Sequence, residues 1–449
     1  MKKERIGIVL PIVLISYFMI LLDNSVVFTS TVKISQDLQM TSRTLSWIST
    51  AYVLTFGGFQ LLGGRLGDIF GRKRLFLIGT YIFTFSSLLV GLSVSAPMMI
   101  VMRAIQGAGA AILAPTTLAL LMDNYQGKML QRGINYYGMT AGLGANLGLL
   151  IGGLIASFTS WRIGFLINVP VGVGIILLTI KNVKKDQQVK SQSMDILGSL
   201  YSAIAIAAVI YSINGEKYRL FALIVSVMFL GLFIRQEGHA KIAIMPLELF
   251  KDSTRVGAYI ARFFIIGMAF SFLYLAPQVM QNLYHFSPFL ASIAFLLMSL
   301  PQFVAATQVG RLNTKISPAR LAVLASIISI VALAWIVIVG AQNGFWLALA
   351  VPLILVGIGQ GLAMSPLTSL GVAHTTADIS GSASGVLNTF HQTGQSIGLA
   401  LVTALTSGIH SYAGSFNAAM LVLLFYATIA LLATSSIMLN KKKTINGLK

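Results

Sequence analysis

GRLGDIFGRKRL, running from Gly64 to Leu75, is nearly repeated by GRLNTKISPARL, Gly310 to Leu321, 246 positions further on. Each stretch begins where a long apolar segment ends, and the next apolar segment begins as it closes. A chain that uses the same basic, glycine-containing punctuation at corresponding points reads as two copies of one unit. Only the first copy carries an acid, Asp68; the second has Thr314 at that place.

The unit is a bundle of membrane helices. Apolar residues make up 56% of the chain and charged residues 10%, against about 25% charged in a soluble globular protein. The mean hydropathy is +0.84. At ~20 residues per crossing, fourteen spans are expected, near 8–30, 46–64, 75–95, 98–121, 134–157, 162–180, 195–213, 219–235, 257–279, 288–309, 321–340, 345–370, 383–408 and 417–438. Six fall in each half. The longest polar connections bracket the seventh and eighth, which read as an inserted pair. The expected division is 1–185 for the first bundle, 186–245 for the inserted helices, 246–440 for the second bundle and 441–449 for a basic tail. The first apolar stretch is too long for a cleavable signal and carries Asp23.

The net charge of +19 invites a nucleic-acid reading that its distribution opposes. With both termini placed in the cytoplasm and sides alternating, 24 Lys and Arg fall on cytoplasmic segments and five on outer loops (Lys33, Arg43, Arg162, Lys217 and Arg219), Arg103 and Arg262 lying within or at the rim of spans. That is the positive-inside bias of an inserted multispan protein, and the charge meets anionic lipid head groups. The expectation is a monomer in the cell membrane with no nucleic-acid partner.

No enzyme signal is present. The chain has no Cys and its five His lack ligand spacing, so no metal set is expected. No GxxxxGK[ST] supplies an ATP site, and no catalytic Ser/His/Asp set or acidic cluster appears. Function should concentrate instead at polar residues inside the spans, where each is expensive. Asp23 lies roughly 22 Å along the first helix, at 1.5 Å per residue. The fourth helix runs the other way and brings Arg103 to roughly 21 Å in a ~30 Å core. The unlike charges share a depth and a half. Alone, each costs several kcal/mol, on the order expected for a buried ion; together they coexist. Two readings stand: a permanent ion pair that orients helices, or a carboxylate that exchanges a proton as its exposure and its distance from Arg103 change. Burial favours the neutral acid and a guanidinium favours the carboxylate. Asp123 reads as a solvated helix end, or as a secondary proton site. The second half has no deep acid; after Asp252 only Asp378 follows. His391 is the titratable group there, read as a neutral, hydrogen-bonded imidazole.

On the fifth helix Gly144, Gly148 and Gly152 lie four apart, with Gly153 beside them; small residues at that spacing let backbones approach closely, and the face is also a candidate bending point. Uncharged polar and aromatic residues interrupt the apolar runs. Tyr52, Gln60, Gln106, Tyr136, Asn146, Phe270, Tyr274, Gln278, Asn388 and His391 are the candidate cavity set, with Asn168, Gln392 and Gln395 among further interruptions. Amides and π faces suit bulky amphiphiles and cations.

These motifs resemble a known family. GRLGDIFGRKRL is similar to the signature between helices 2 and 3 of the major facilitator superfamily, with Gly64, Asp68, Gly71 and Arg72 at its marked positions. RAIQGAGAA, Arg103 to Ala111, resembles its helix 4 signature. LDNSVVFTSTVKI from Leu22, WRIGFLINVPVG from Trp161 and GSASGVLNTFHQTGQSIGLA from Gly381 are similar to segments of the fourteen-helix drug:proton antiporters. The resemblance implies an all-α integral membrane fold of two six-helix bundles plus two inserted helices. It implies proton coupling through Asp23 and Arg103, a gating loop through Gly64, Asp68, Gly71 and Arg72 that latches against a helix starting near Ser380, and export of amphiphilic drugs driven by the proton gradient without a cofactor. Three departures affect substrate choice: Leu149 in Gly148–Gly153 where that group has Pro, Phe28 and Val32 in helix 1, and His391 where Arg is common. A transporter for one specific metabolite and a non-transporting membrane sensor are the competing readings. The buried Asp23–Arg103 pair speaks against the sensor.

Overall fold

The computed structural model describes residues 7–183, 195–215, 217–239, 245–375 and 379–446. The side chains of Gly64, Asp68 and Asn146, three of the candidates, lie outside the described set. The described residues form helices joined by short turns, with no strand. In chain order the helices are α1 (Val9–Asp37), α2 (Ser42–Phe70), α3 (Arg72–Gly91), α4 (Ala96–Asn124), α5 (Gly127–Phe158), α6 (Trp161–Leu166), α7 (Asn168–Asn182), α8 (Ile196–Asn214) and α9 (Arg219–His239). They continue as α10 (Ser253–Asn282), α11 (Pro288–Ala294), α12 (Leu296–Asn313), α13 (Pro318–Val339), α14 (Val351–Gly371), α15 (Ser380–Thr406) and α16 (Tyr412–Asn446). Each expected span falls on one of these. Two spans are broken by a single residue, at Ile167 and at Phe295, and α14 is entered through a π-helical turn at Trp346–Ala350. Among the described residues, eleven spans are long and apolar enough to cross a membrane by length and composition. The remaining three, α2, α5 and α15, have 29, 32 and 27 residues, long enough at ~20 residues per crossing but rich in Gly and polar side chains. α16 runs on to Asn446, so most of the expected basic tail is helical.

The chain divides into two compact units, Met1–Ala203 and Ile204–Lys449. The boundary falls inside α8, one of the two helices read as an inserted pair. Within the first unit α1 packs on α5 and α7, α4 packs on α2 and α3, and α3 packs on α7. The second unit repeats the scheme: α10 packs on α15 and α16, α14 packs on α12 and α13, and α13 packs on α16. The duplicated dodecapeptides therefore sit at matching places in that scheme, the first between α2 and α3 and the second between α12 and α13. Apolar side chains also cover the outside. On α9, Leu220, Phe221, Ile224, Val227 and Met228 are all exposed, a face that only lipid accommodates.

The first dodecapeptide is not the loop expected from the sequence. α2 continues to Phe70, and the turn is one residue, Gly71, at φ +94°. Nothing between Gly64 and Phe70 breaks a helix, whereas the left-handed backbone at Gly71 is one that side chains disfavour. Arg72 then opens α3 directly. Its Nη1 donates to Asp123 Oδ1 at 2.5 Å and to the carbonyl of Ala119 at 3.5 Å. Lys73 Nζ donates to the carbonyls of Val183 and, at 3.2 Å, Ile180. The basic residues of the motif thus cap the carbonyl ends of α4 and α7, where the helix dipole favours cations. The second dodecapeptide turns by other means. α12 stops at Asn313, and Ser317 caps α13 by accepting from the Arg320 N–H at 3.4 Å, with Pro318 in the first turn.

Glycines let the helices of both units touch. A methyl on Gly144 would lie 2.8 Å from Leu21 Cδ1, one on Gly148 2.8 Å from Ser25 Cβ, and one on Gly152 2.8 Å from Val26 Cα, all on α1; Gly153 is buried beside them. The α10–α15 contact of the second unit is built alike, a methyl on Gly398 reaching 2.8 Å from Gly267 Cα. Substituting Gly148→Val should destabilise the first unit by about 1–3 kcal/mol, the usual cost of overpacking, with Gly148→Ala less severe. Thermal unfolding in detergent measures it; an unchanged midpoint for Gly148→Val would contradict this packing.

Candidate functional site: a buried acid–guanidinium centre

Five helices of the first unit converge on one carboxylate. α1 carries Asp23, and α4 carries Arg103 with Gln106 one turn later on the same face. α7 contributes its first residue, Asn168, presented by the break at Ile167. Ser87 comes from α3 and Tyr52 from α2. Asp23 and Arg103 are both 0% exposed.

Arg103 Nη1 is ion-paired to Asp23 Oδ2 and donates to Gln106 Oε1 at 2.7 Å. Gln106 Nε2 donates to Asp23 Oδ1 at 2.8 Å, and Asn168 Nδ2 donates to the same oxygen at 3.0 Å and to Ser87 Oγ at 2.9 Å. Ser87 Oγ donates onward to the Phe165 carbonyl at 2.9 Å. Arg103 Nε donates to the Ile48 carbonyl at 3.2 Å, and its guanidinium lies 4.2 Å from the centre of the Tyr52 ring and 5.6 Å from that of Phe165. Every group that contacts the carboxylate is therefore a donor, an arrangement matched to the ionised acid. The guanidinium is held separately by a carbonyl, an amide oxygen and an aromatic face, none of which depends on Asp23 carrying charge. Arg103 Nη2 and Asn168 Oδ1 are buried without a hydrogen-bond partner among the described residues, so the network is not closed.

The other sequence candidates fall in different places. Gln106 and Tyr52, expected to line a cavity, belong to this centre; Tyr52 is fully buried beneath the guanidinium. Tyr274 is fully buried in the second unit, its hydroxyl without a hydrogen-bond partner among the described residues; Phe270 is nearly buried, and Gln278 donates to the Tyr274 carbonyl one turn back at 2.9 Å. Tyr136 is exposed, and Gln60 and Asn388 are half-buried. Asp123, considered as a second proton site, pairs with Arg72 at the end of α4, its side chain 46% exposed; it stands outside the buried centre. His391 accepts from Arg262 Nε at its Nδ1, 3.0 Å away. Asn168 and Ser87 were not singled out as partners of Asp23; the Asn-Val-Pro at which α7 starts was the available signal.

A model of the Major Facilitator Superfamily matches residues 13–399 and 258–445. The chain belongs to the Major Facilitator Superfamily. It is a multi-pass membrane transporter of that superfamily and not an enzyme. Among superfamily members, the puromycin resistance protein pur8 of Streptomyces alboniger is 30% identical over 412 residues, covering 89% of this chain and 81% of its own. The methylenomycin A resistance protein of Bacillus subtilis is 28% identical over 444 residues, 94% of this chain and 93% of its own. The solved POT family transporter PepTSo superposes with a TM-score of 0.70 at 12% identity over 98% of both chains, a likeness of fold alone.

Proposed function

We propose that this superfamily member is a proton-driven antiporter that expels amphiphilic drugs and dyes from the cell by alternating access. The observation that carries the reading is the Asp23 carboxylate, sealed inside the first unit and held by three donors. A scaffold needs no such charge, and a transporter that exchanges protons does. Protonating Asp23 cancels its attraction for Arg103; the guanidinium then rests on the Ile48 carbonyl, Gln106 Oε1 and the Tyr52 ring. Losing the proton draws the cluster together again. Alternation between those two arrangements is the coupling step, and no cofactor takes part. Relatives named for puromycin and methylenomycin A resistance support drugs as the cargo.

In this reading fourteen helices cross the cell membrane, both termini face the cytoplasm, the working unit is a monomer in lipid, and the Gly64–Arg72 segment gates the cytoplasmic side. Because Asp23 is the acid placed mid-span by the sequence and fully buried, monovalent, zwitterionic and neutral amphiphiles should be carried better than divalent cations. Flux from proteoliposomes under an imposed pH gradient tests this. Ethidium should be driven outward only while the gradient stands, and faster than a divalent bisquaternary dye; export indifferent to the gradient would remove the proposal.

A further inference from the structure

The second unit holds a partly buried cation with no counter-charge among the described residues. Arg262 lies about 14 Å along α10 and His391 about 17 Å along α15, at 1.5 Å per residue, so both are well inside their spans. From Ser253 to the end of the chain the sequence has one acid, Asp378, which follows α14 and precedes α15. No described carboxylate is within ion-pair distance of Arg262. Its Nε donates to His391 Nδ1 at 3.0 Å and its Nη1 to the Met364 carbonyl of α14 at 3.0 Å. These neutral acceptors orient the guanidinium and cancel none of its charge. Arg103 of the first unit, by contrast, is matched by Asp23.

The hydrogen bonding fixes what the cluster offers. A neutral imidazole has one proton, and with Nδ1 accepting from Arg262 that proton is on Nε2. Gln395 Nε2 lies 2.9 Å from His391 Nε2; two N–H groups cannot face each other, so the amide is assigned with its oxygen and nitrogen exchanged, the oxygen accepting from Nε2–H and the NH2 turned away as a donor. Arg262, His391 and Gln395 are each only partly buried, so the group has an open side where Arg103 has none. Tyr259, three residues before Arg262, is fully buried and stacks on Phe390, the neighbour of His391, with ring centres 5.5 Å apart; Phe390 itself is partly exposed. A partly buried guanidinium with an outward amide donor is matched by a planar oxyanion, and the partly exposed Phe390 ring by a hydrocarbon or ring system.

We propose that Arg262 and Gln395, with His391 as the positioning residue, bind the carboxylate of an amphiphilic organic acid or zwitterion. This deepens the exporter reading and rests on it for the direction of transport, though not for binding. Acidic and zwitterionic amphiphiles should then outrank simple cations as cargo.

The test is fluorescence titration of the full chain in lipid nanodiscs with dansyl-undecanoic acid and with its methyl ester, protein-free nanodiscs being subtracted. The wild type should bind the acid roughly tenfold more tightly than the ester, as losing a charge-assisted hydrogen bond implies. Arg262→Gln should bring the acid down to the ester's level and leave the ester unchanged. Gln395→Leu should weaken the acid several-fold, about the loss of one neutral hydrogen bond, and spare the ester. Equal binding of acid and ester by the wild type overturns the proposal without recourse to any variant, and so does full discrimination in a folded Arg262→Gln. Discrimination without gradient-driven efflux of any dye would remove the exporter reading and keep this site; efflux without discrimination would do the reverse.

Discussion

Asp23→Asn should abolish gradient-driven efflux while the protein still folds, inserts and exchanges labelled substrate across the membrane at equilibrium. The asparagine is isosteric and keeps the contacts with Gln106 and Asn168 within reach, but it cannot ionise. Arg103 retains the Ile48 carbonyl, Gln106 Oε1 and the Tyr52 face, so the fold survives. What is lost is the difference between the loaded and unloaded arrangements, and a ligand that does not distinguish two states cannot drive one into the other. The expected deficit in uphill efflux is at least about a hundredfold, since the pH gradient no longer has a group to act on. The readout is paired: uphill efflux from everted vesicles under a pH gradient, and substrate counterflow without one. Loss of both together would indicate that Asp23 is needed for the fold or the substrate and not for coupling.

Removing the other partner has the opposite character. Arg103→Leu leaves Asp23 buried among two amide donors with its counter-charge gone. Breaking a buried pair from one side costs about 3–5 kcal/mol, chiefly because the surviving charge is left uncompensated. The variant should therefore show a sharply lowered unfolding midpoint and poor yield, in addition to lost coupling. The double variant Asp23→Asn with Arg103→Leu should be more stable than Arg103→Leu alone, an inversion of ordinary additivity that identifies direct coupling between the sites. A double variant less stable than either single one would mean that the two side chains act independently.

Much of this architecture was readable before any coordinates. The dodecapeptide repeat and the positions of the apolar runs marked two bundles, and the matched helices of each unit pair in the same pattern. Depth counting put Asp23 and Arg103 at one level, and they are ion-paired. The glycine spacing on α5 marked a close helix contact, and that contact is with α1.

What was missed depended on helix rotation and helix ends. Gln106, Asn168 and Tyr52 looked like any other polar interruptions, because spacing along one helix does not say which neighbour a side chain meets. Gln106 and Tyr52 were assigned to a cavity and instead hold the charged centre. A span beginning near 257 places Arg262 within or at its rim. Asp252 caps the helix at Ser253, its Oδ1 accepting from the Arg255 N–H at 2.9 Å, and this extra turn carries Arg262 inward. Similarly, the Gly64–Leu75 stretch was read as a loop because its charges suggested one. Arg72 and Lys73 instead cap the ends of neighbouring helices, and only Gly71 departs from the helix.

The central claim is that the Asp23 carboxyl is the group that carries the proton. Purified protein in weakly buffered detergent, with a pH-indicator dye, tests it directly when a saturating amount of a transported drug is added. The wild type should release about one proton per chain at a pH where Asp23 is loaded, the linkage expected of exchange at a single acid, and Asp23→Asn should release none. Equal proton release from the two proteins would place the proton elsewhere and contradict the account.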